Sequence, residues 1–209
     1  YINQIATWEN YLNGDSLKEK LVSRYLYEHW FIAHLYFSEL PAGEFFKVVR
    51  SRTPPGQPID IIATRRPYDD PGVERVYYRL WREQGSILEK THMPYALNND
   101  RLITFTQLFF QDNYQVEALP SYQPEVASNP FKAFEALPSI SRYKFLLEEA
   151  EFTIMNFIKS PVCRGQVALN VINDHFWVFF VNPNEKNAKD HSAFYNEQQD
   201  KLALPSAAE

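Results

Sequence analysis

The stretch that most restricts how this chain can fold runs from Val49 to Arg82, VRSRTPPGQPIDIIATRRPYDDPGVERVYYRLWR. Two proline-glycine turns, Pro54-Pro55-Gly56 and Pro71-Gly72, bracket the apolar run Ile59, Ile61, Ile62 and Ala63. Proline presets φ and glycine frees it, so the chain must turn at both points, and the stretch reads as strand, loop, strand. Phe45 to Arg52, Pro58 to Thr64 and Val73 to Trp81 are the strand candidates, all rich in β-branched and aromatic residues. The third does not alternate cleanly, which predicts either a strand covered on both faces or a partly helical segment.

The same stretch holds seven of the chain's eleven arginines and no lysine. A guanidinium is a planar fork of donors that matches a carboxylate or a phosphate, and an ammonium is not. Two readings follow. The arginines pair locally with Asp60, Asp69, Asp70, Glu74 and Glu83, or those at the strand ends (Arg50, Arg52, Arg65 and Arg66) form an anion site.

Elsewhere the patterns are mainly helical. Asp15 or Ser16 is the expected N-cap of a helix, and Glu19 completes a capping box with Ser16. With no Pro or Gly from Leu17 to Leu40, and apolar residues at Leu21, Tyr25, Trp30, Ala33 and Phe37, one long helix is predicted, ended by Pro41 and Gly43. Further helices are predicted from Asn98 to Phe110, briefly from Pro130 to Leu137, and from Ser139 or Ser141 to Pro161. The last should bury Tyr143, Leu146, Leu147, Ala150, Ile154, Phe157 and Ile158. Cys163 to Asp174 reads as another helix, Phe176 to Val181 as strand or buried helix, and residues 183–209 as a polar tail. The sum is an α+β fold, helix-rich, with a small sheet from about residues 45–82, and residues 1–182 as one domain.

Composition narrows the function classes. Residues 45–90 carry nine Lys or Arg against six Asp or Glu, a net +3 within a chain of net −5. An acidic chain with one modestly basic segment does not suit nucleic acid. The longest strongly apolar run, Phe176 to Val181, is far short of the ~18 residues of a spanning helix. No signal peptide is visible, and a chain starting at Tyr1 reads as a processed or excised piece.

Among candidate chemical groups, His29 and His34 stand five apart, about 140° round a helix, and cannot share a metal on one face. No metal site is expected. His92-Met93 pairs the two residue types that serve as axial ligands of a c-type haem, although Met beside His is ordinary in a core. Cys163, the single cysteine, follows a proline stop and precedes Arg164, so it is a candidate reactive thiol or a small buried one. The chain has no Gly-x-Ser-x-Gly, P-loop or dinucleotide fingerprint.

Several strings carry a resemblance. RSRTPPG, ATRRPYDDPG, KTHMPYAL (Lys90 to Leu97), SRYKFLL (Ser141 to Leu147) and PVCRGQVALNVINDHFWVFF (Pro161 to Phe180) are similar to the bacterial fatty acid cis/trans isomerases. These strings span most of residues 20–182, and the tail carries none. The resemblance implies conversion of cis to trans double bonds in membrane acyl chains without moving the bond, in the Gram-negative periplasm, as a stress response that stiffens the membrane. It also implies a covalent haem c, held through a Cys-x-x-Cys-His motif that this chain does not contain. The chain then resembles an internal portion of the enzyme. Its expected partners are an unsaturated fatty acid or phospholipid acyl chain, the haem-bearing segment of the same protein, and the membrane surface.

No catalytic residue of the family maps onto this chain. In the mechanism the resemblance implies, an electron-poor haem iron draws density from the C=C bond so that it can rotate, and no acid–base pair is required. On that reading the domain binds lipid, with Arg50, Arg52, Arg65 and Arg66 as headgroup candidates and His92 and Met93 as haem contacts, and is inactive alone. The alternatives are a non-catalytic scaffold domain and a thiol enzyme using Cys163.

Overall fold

The computed structural model describes residues 1–41, 43–159, 180–184 and 197–198. The helix expected from Cys163 to Asp174, and Cys163 itself, lie outside them, as does most of the segment from Phe176 to Val181.

Helix α1 (Ile2–Leu12) leads through Asn13-Gly14-Asp15 into α2 (Leu17–Trp30). The capping box forms as expected: Ser16 accepts from the Glu19 amide, and the Glu19 carboxylate accepts from the Ser16 amide. Gly14 has a steric reason, since a Cβ there would lie 2.3 Å from the Glu19 carboxyl carbon that the box holds in place.

The long helix expected to run to Leu40 stops at Trp30. Ala33 turns back to the Trp30 carbonyl, and His34–Phe37 is strand β1. No proline or glycine marks the switch. It is made by partners remote in sequence, because β1 pairs in parallel with β4 (Pro94–Leu97), His34 opposite Pro94 and Phe37 opposite Leu97. Strand β2 (Phe46–Ser51) pairs antiparallel with β1 and with β3 (Tyr77–Arg82), giving the order β3-β2-β1-β4. The sheet thus extends on both sides of the expected span of 45–82, and the α+β class holds. Pro58–Thr64 is not a strand; it contributes a single bridge, Ile61 to Ser51.

One sheet face, Leu35, Phe37, Phe46, Val48, Tyr78, Leu80, Tyr95 and Leu97, packs into the core with Trp8, Leu26, Trp30 and Phe105 from the helices. The other face carries His34, Tyr36, Lys47 and Val49, with Trp81 36% exposed. The free edge of β3 is closed by two side chains of the N-terminal segment. Asn13 donates to the Tyr78 carbonyl (2.8 Å) and accepts from its amide (2.9 Å), as a neighbouring strand would, and Glu9 accepts from the Leu80 amide (2.9 Å).

Helix α3 (Asn99–Phe110), capped by Asn98, follows β4 directly. The irregular segment after it is stapled to α2 by two stacked cations, Lys18 over Tyr114 and Arg24 over Tyr122, each 3.9 Å from the ring centre. Short helices α4 (Pro124–Ala127) and α5 (Pro130–Ala133) both begin with proline.

The predicted final helix is broken in two, α6 (Ser139–Glu148) and α7 (Ala150–Lys159), with Glu149 between them. Its buried stripe also differs from expectation, being Ser141, Phe145, Glu149 and Phe152 rather than the face of Leu146 and Ala150. Among the described residues no helix is long and apolar enough to cross a membrane.

Candidate functional site

Of the seven arginines in the arginine-rich stretch, Arg50 and Arg79 are buried and serve as internal scaffolding. Arg50 is 1% exposed, donates to the Asp69 carbonyl and the Thr64 hydroxyl, and lies 5.4 Å from the Tyr27 ring centre. It holds the 62–70 loop against β2. Arg79 pairs with Glu9 (2.9 Å) and donates to the carbonyls of Thr53, Pro54 and Gln57, fixing the first proline-glycine turn beneath the sheet. This second covered side explains why Val73–Trp81 lacks alternation.

Arg52 pairs with Asp60, Arg75 with Asp15 and Arg82 with Glu44. Of these three pairs, the Asp60 pairing is among the local partners read from the sequence, and Glu83 binds Lys47. Arg66 lies against Tyr68, 5.8 Å from its ring centre. Arg65 is exposed and makes no ion pair among the described residues. Of the four headgroup candidates, Arg50 is buried, Arg52 is ion-paired, Arg66 lies against Tyr68 and Arg65 is exposed.

The haem candidates also separate. Met93 is 1% exposed inside the core cluster, whereas His92, next to it in extended chain, points the other way. His92 instead meets His34, Nδ1 to Nδ1 at 3.3 Å, with the Phe45 ring centre 4.8 Å from the His92 ring. His34 Nδ1 accepts the Met93 amide at 3.1 Å, which leaves its proton on Nε2. Burial, then His92 and Lys47, lower the His34 pKa, against the pull of Glu83. The pairing follows from the parallel β1–β4 register and was hidden by placing His34 in a helix.

A third group of polar residues sits under α3. Glu149, turned inward at the α6–α7 break, is bound by Arg101, which also donates to the Tyr95 hydroxyl at 2.6 Å. Its second oxygen is 4.0 Å from His29 Nε2, and both atoms are buried with no hydrogen-bond partner. Burial raises the Glu149 pKa despite Arg101, and burial pushes His29 down to about 3, aided by Arg101. The His29–Glu149 contact is thus no ion pair at neutral pH, because the ring is uncharged. Nothing in the sequence joins these residues, which stand on α2, α3 and the α6–α7 junction.

The neutral His29 has a measurable consequence. Its folded pKa lies below the ordinary 6.5, so its stabilisation is present above pH 6.5 and is lost as pH falls from there toward 3. At about 1.4 kcal/mol per pH unit, acidifying from 6.5 to 4.5 should cost about 2–3 kcal/mol. His34 acts with the same sign, and Glu149, with its raised pKa, acts with the opposite one. Urea midpoints across this range should show a shallower loss in His29→Gln than in the native protein. Parallel curves would refute a neutral buried His29.

No group of three or more potential metal ligands occurs among the described residues. A groove of about 700 Å³ opens between residues 114–118 and residues 135–142, away from the arginine-rich stretch.

A family model described as fatty acid cis/trans isomerase matches residues 2–209, including the tail that carries none of the recognisable strings. No curated protein and no solved structure matches. By a match over nearly its whole length, this chain belongs to the fatty acid cis/trans isomerase family.

Proposed function

We propose that this domain binds the unsaturated lipid for cis-to-trans isomerisation and docks the haem-bearing segment of the periplasmic enzyme. The family match over residues 2–209 carries the reading. Haem c, held by another segment, would supply an electron-withdrawing iron, and this chain would hold the acyl chain beside it and exclude water. Arg65, exposed and without an ion pair among the described residues, is the headgroup candidate that the fold leaves available. Arg50 is committed to the 62–70 loop, and Arg52 is paired. His92, at the margin of the outer sheet face, is the haem-contact candidate that is not enclosed in the core.

A second reading, a scaffold domain that never touches lipid, is favoured by the internal pairing of Arg79, Arg75 and Arg82 and by a groove that opens elsewhere. Titration with a cis-monounsaturated fatty acid and its trans isomer, followed by tryptophan fluorescence, separates the two. Trp81 lies on the outer sheet face and Trp8 and Trp30 in the core. Lipid binding predicts a saturable response, stronger for the cis isomer and weakened in Arg65→Gln. No response below the micelle concentration would leave the scaffold reading.

A further inference from the structure

The groove between residues 114–118 and 135–142 contains the feature least explained by folding. Arg142, on the first turns of α6, lines it. Its side chain makes no hydrogen bond or ion pair among the described residues, and its Nε is fully buried without a partner. The other arginines of the fold interior each hold at least one acceptor, Arg24 Glu28 and the Pro120 carbonyl, Arg50 the Asp69 carbonyl and Thr64, Arg79 Glu9, although Arg24 Nη2 and Arg50 Nε are unpartnered like Arg142 Nε. Arg142 is half-buried with only its Nε sealed off, and a guanidinium without an acceptor at the wall of a concave site is a ready place for an oxyanion. The groove, about 700 Å³, is open to solvent on one side.

The walls narrow the ligand further. Glu117 and Glu135 also line the groove, and both are exposed at its rim. Burial lowers the Arg142 pKa while Tyr25 and Glu135 raise it, so Glu135 lies close enough to be felt without closing an ion pair. Two rim carboxylates would repel a simple anion approaching the arginine. They would attract one that carries a cationic group beside its oxyanion.

We propose that this groove binds a small zwitterion, its phosphate or carboxylate taken by Arg142 and its ammonium by Glu117 and Glu135. The site is independent of where the acyl chain lies. Its ligand has two possible sources, the headgroup of a zwitterionic phospholipid and a free zwitterion in solution, which share this chemistry.

Calorimetric titration of the protein with O-phosphoethanolamine and with inorganic phosphate tests the proposal. Phosphoethanolamine should bind saturably and roughly tenfold or more tighter than phosphate. Arg142→Gln should abolish binding, and Arg142→Lys, which keeps the charge but not the fork, should weaken it, with unchanged circular dichroism in both. Glu117→Gln with Glu135→Gln should bring the two ligands level.

Flotation with vesicles of equal parts phosphatidylethanolamine and phosphatidylglycerol, against phosphatidylglycerol alone, assigns the source. Arg142-dependent recruitment to the first only supports a lipid headgroup. Binding of phosphoethanolamine without recruitment supports a soluble ligand. Equal binding of the two anions, binding of neither, or binding indifferent to Arg142→Gln overturns the proposal, whatever the fatty acid titration shows.

Discussion

Replacing Glu9 by leucine is expected to destabilise the protein by about 3–5 kcal/mol, the usual cost of removing one member of a buried ion pair. Glu9 and Arg79 are 4% and 8% exposed in their side chains and meet at 2.9 Å. The other Glu9 oxygen accepts the Leu80 amide. The substitution therefore strands a guanidinium and a backbone N–H together. Arg79 would retain the carbonyls of Thr53, Pro54 and Gln57, which places the loss at the lower end of that range.

The pair is best tested as a cycle with Arg79→Met, by urea denaturation. If the double variant loses less than the sum of the two singles, the residues are coupled as the geometry requires. A strictly additive double variant would show that each acts through other neighbours.

Phe145→Ala should lose a similar amount, about 3–5 kcal/mol, for a different reason. The ring is wholly buried where α2, α3 and α6 meet, with ring centres at 4.8 Å to His29, 5.2 Å to Tyr25, 5.3 Å to Phe105 and 5.7 Å to Phe109. Truncation opens a cavity that four aromatic neighbours, each held by other contacts, cannot collapse to fill. Leu146→Ala, one residue along and 39% exposed, should stay within about 0.5 kcal/mol of native. Equal losses at the two positions would mean that α6 is rotated from the orientation described.

That contrast also shows what the sequence could reveal. A helix stripe is read from its apolar residues, and the true inner stripe of α6 and α7 is interrupted by Ser141 and Glu149. Glu149 is met there by Arg101, 48 residues earlier. The apolar alternative at Leu146 was the better local pattern and the wrong face.

The same limit hid β1. His34–Phe37 has no breaker before it and is a strand because β4 lies alongside, while His92, 58 residues away, meets His34. Signals that close within a turn were legible: the Ser16 capping box, the helix that starts near Asn98, the proline that opens α5, and strand β2. The arginine-rich stretch was legible in kind and not in partners. Glu9, Asp15 and Glu44 lie outside it in sequence, so a reading confined to neighbouring acids found only Asp60.

The closure of the β3 edge by Asn13 and Glu9 bears on how the chain is made. The N-terminal segment leaves the ribosome before β3 does, so the groups that occupy the edge are already waiting when the edge strand emerges. An exposed strand bearing Tyr77 and Trp81 would otherwise be open to pairing with the same strand of another nascent copy. With the cover upstream of the strand it covers, the backbone groups of Tyr78 and the Leu80 amide are occupied by Asn13 and Glu9 and are not offered to a second copy.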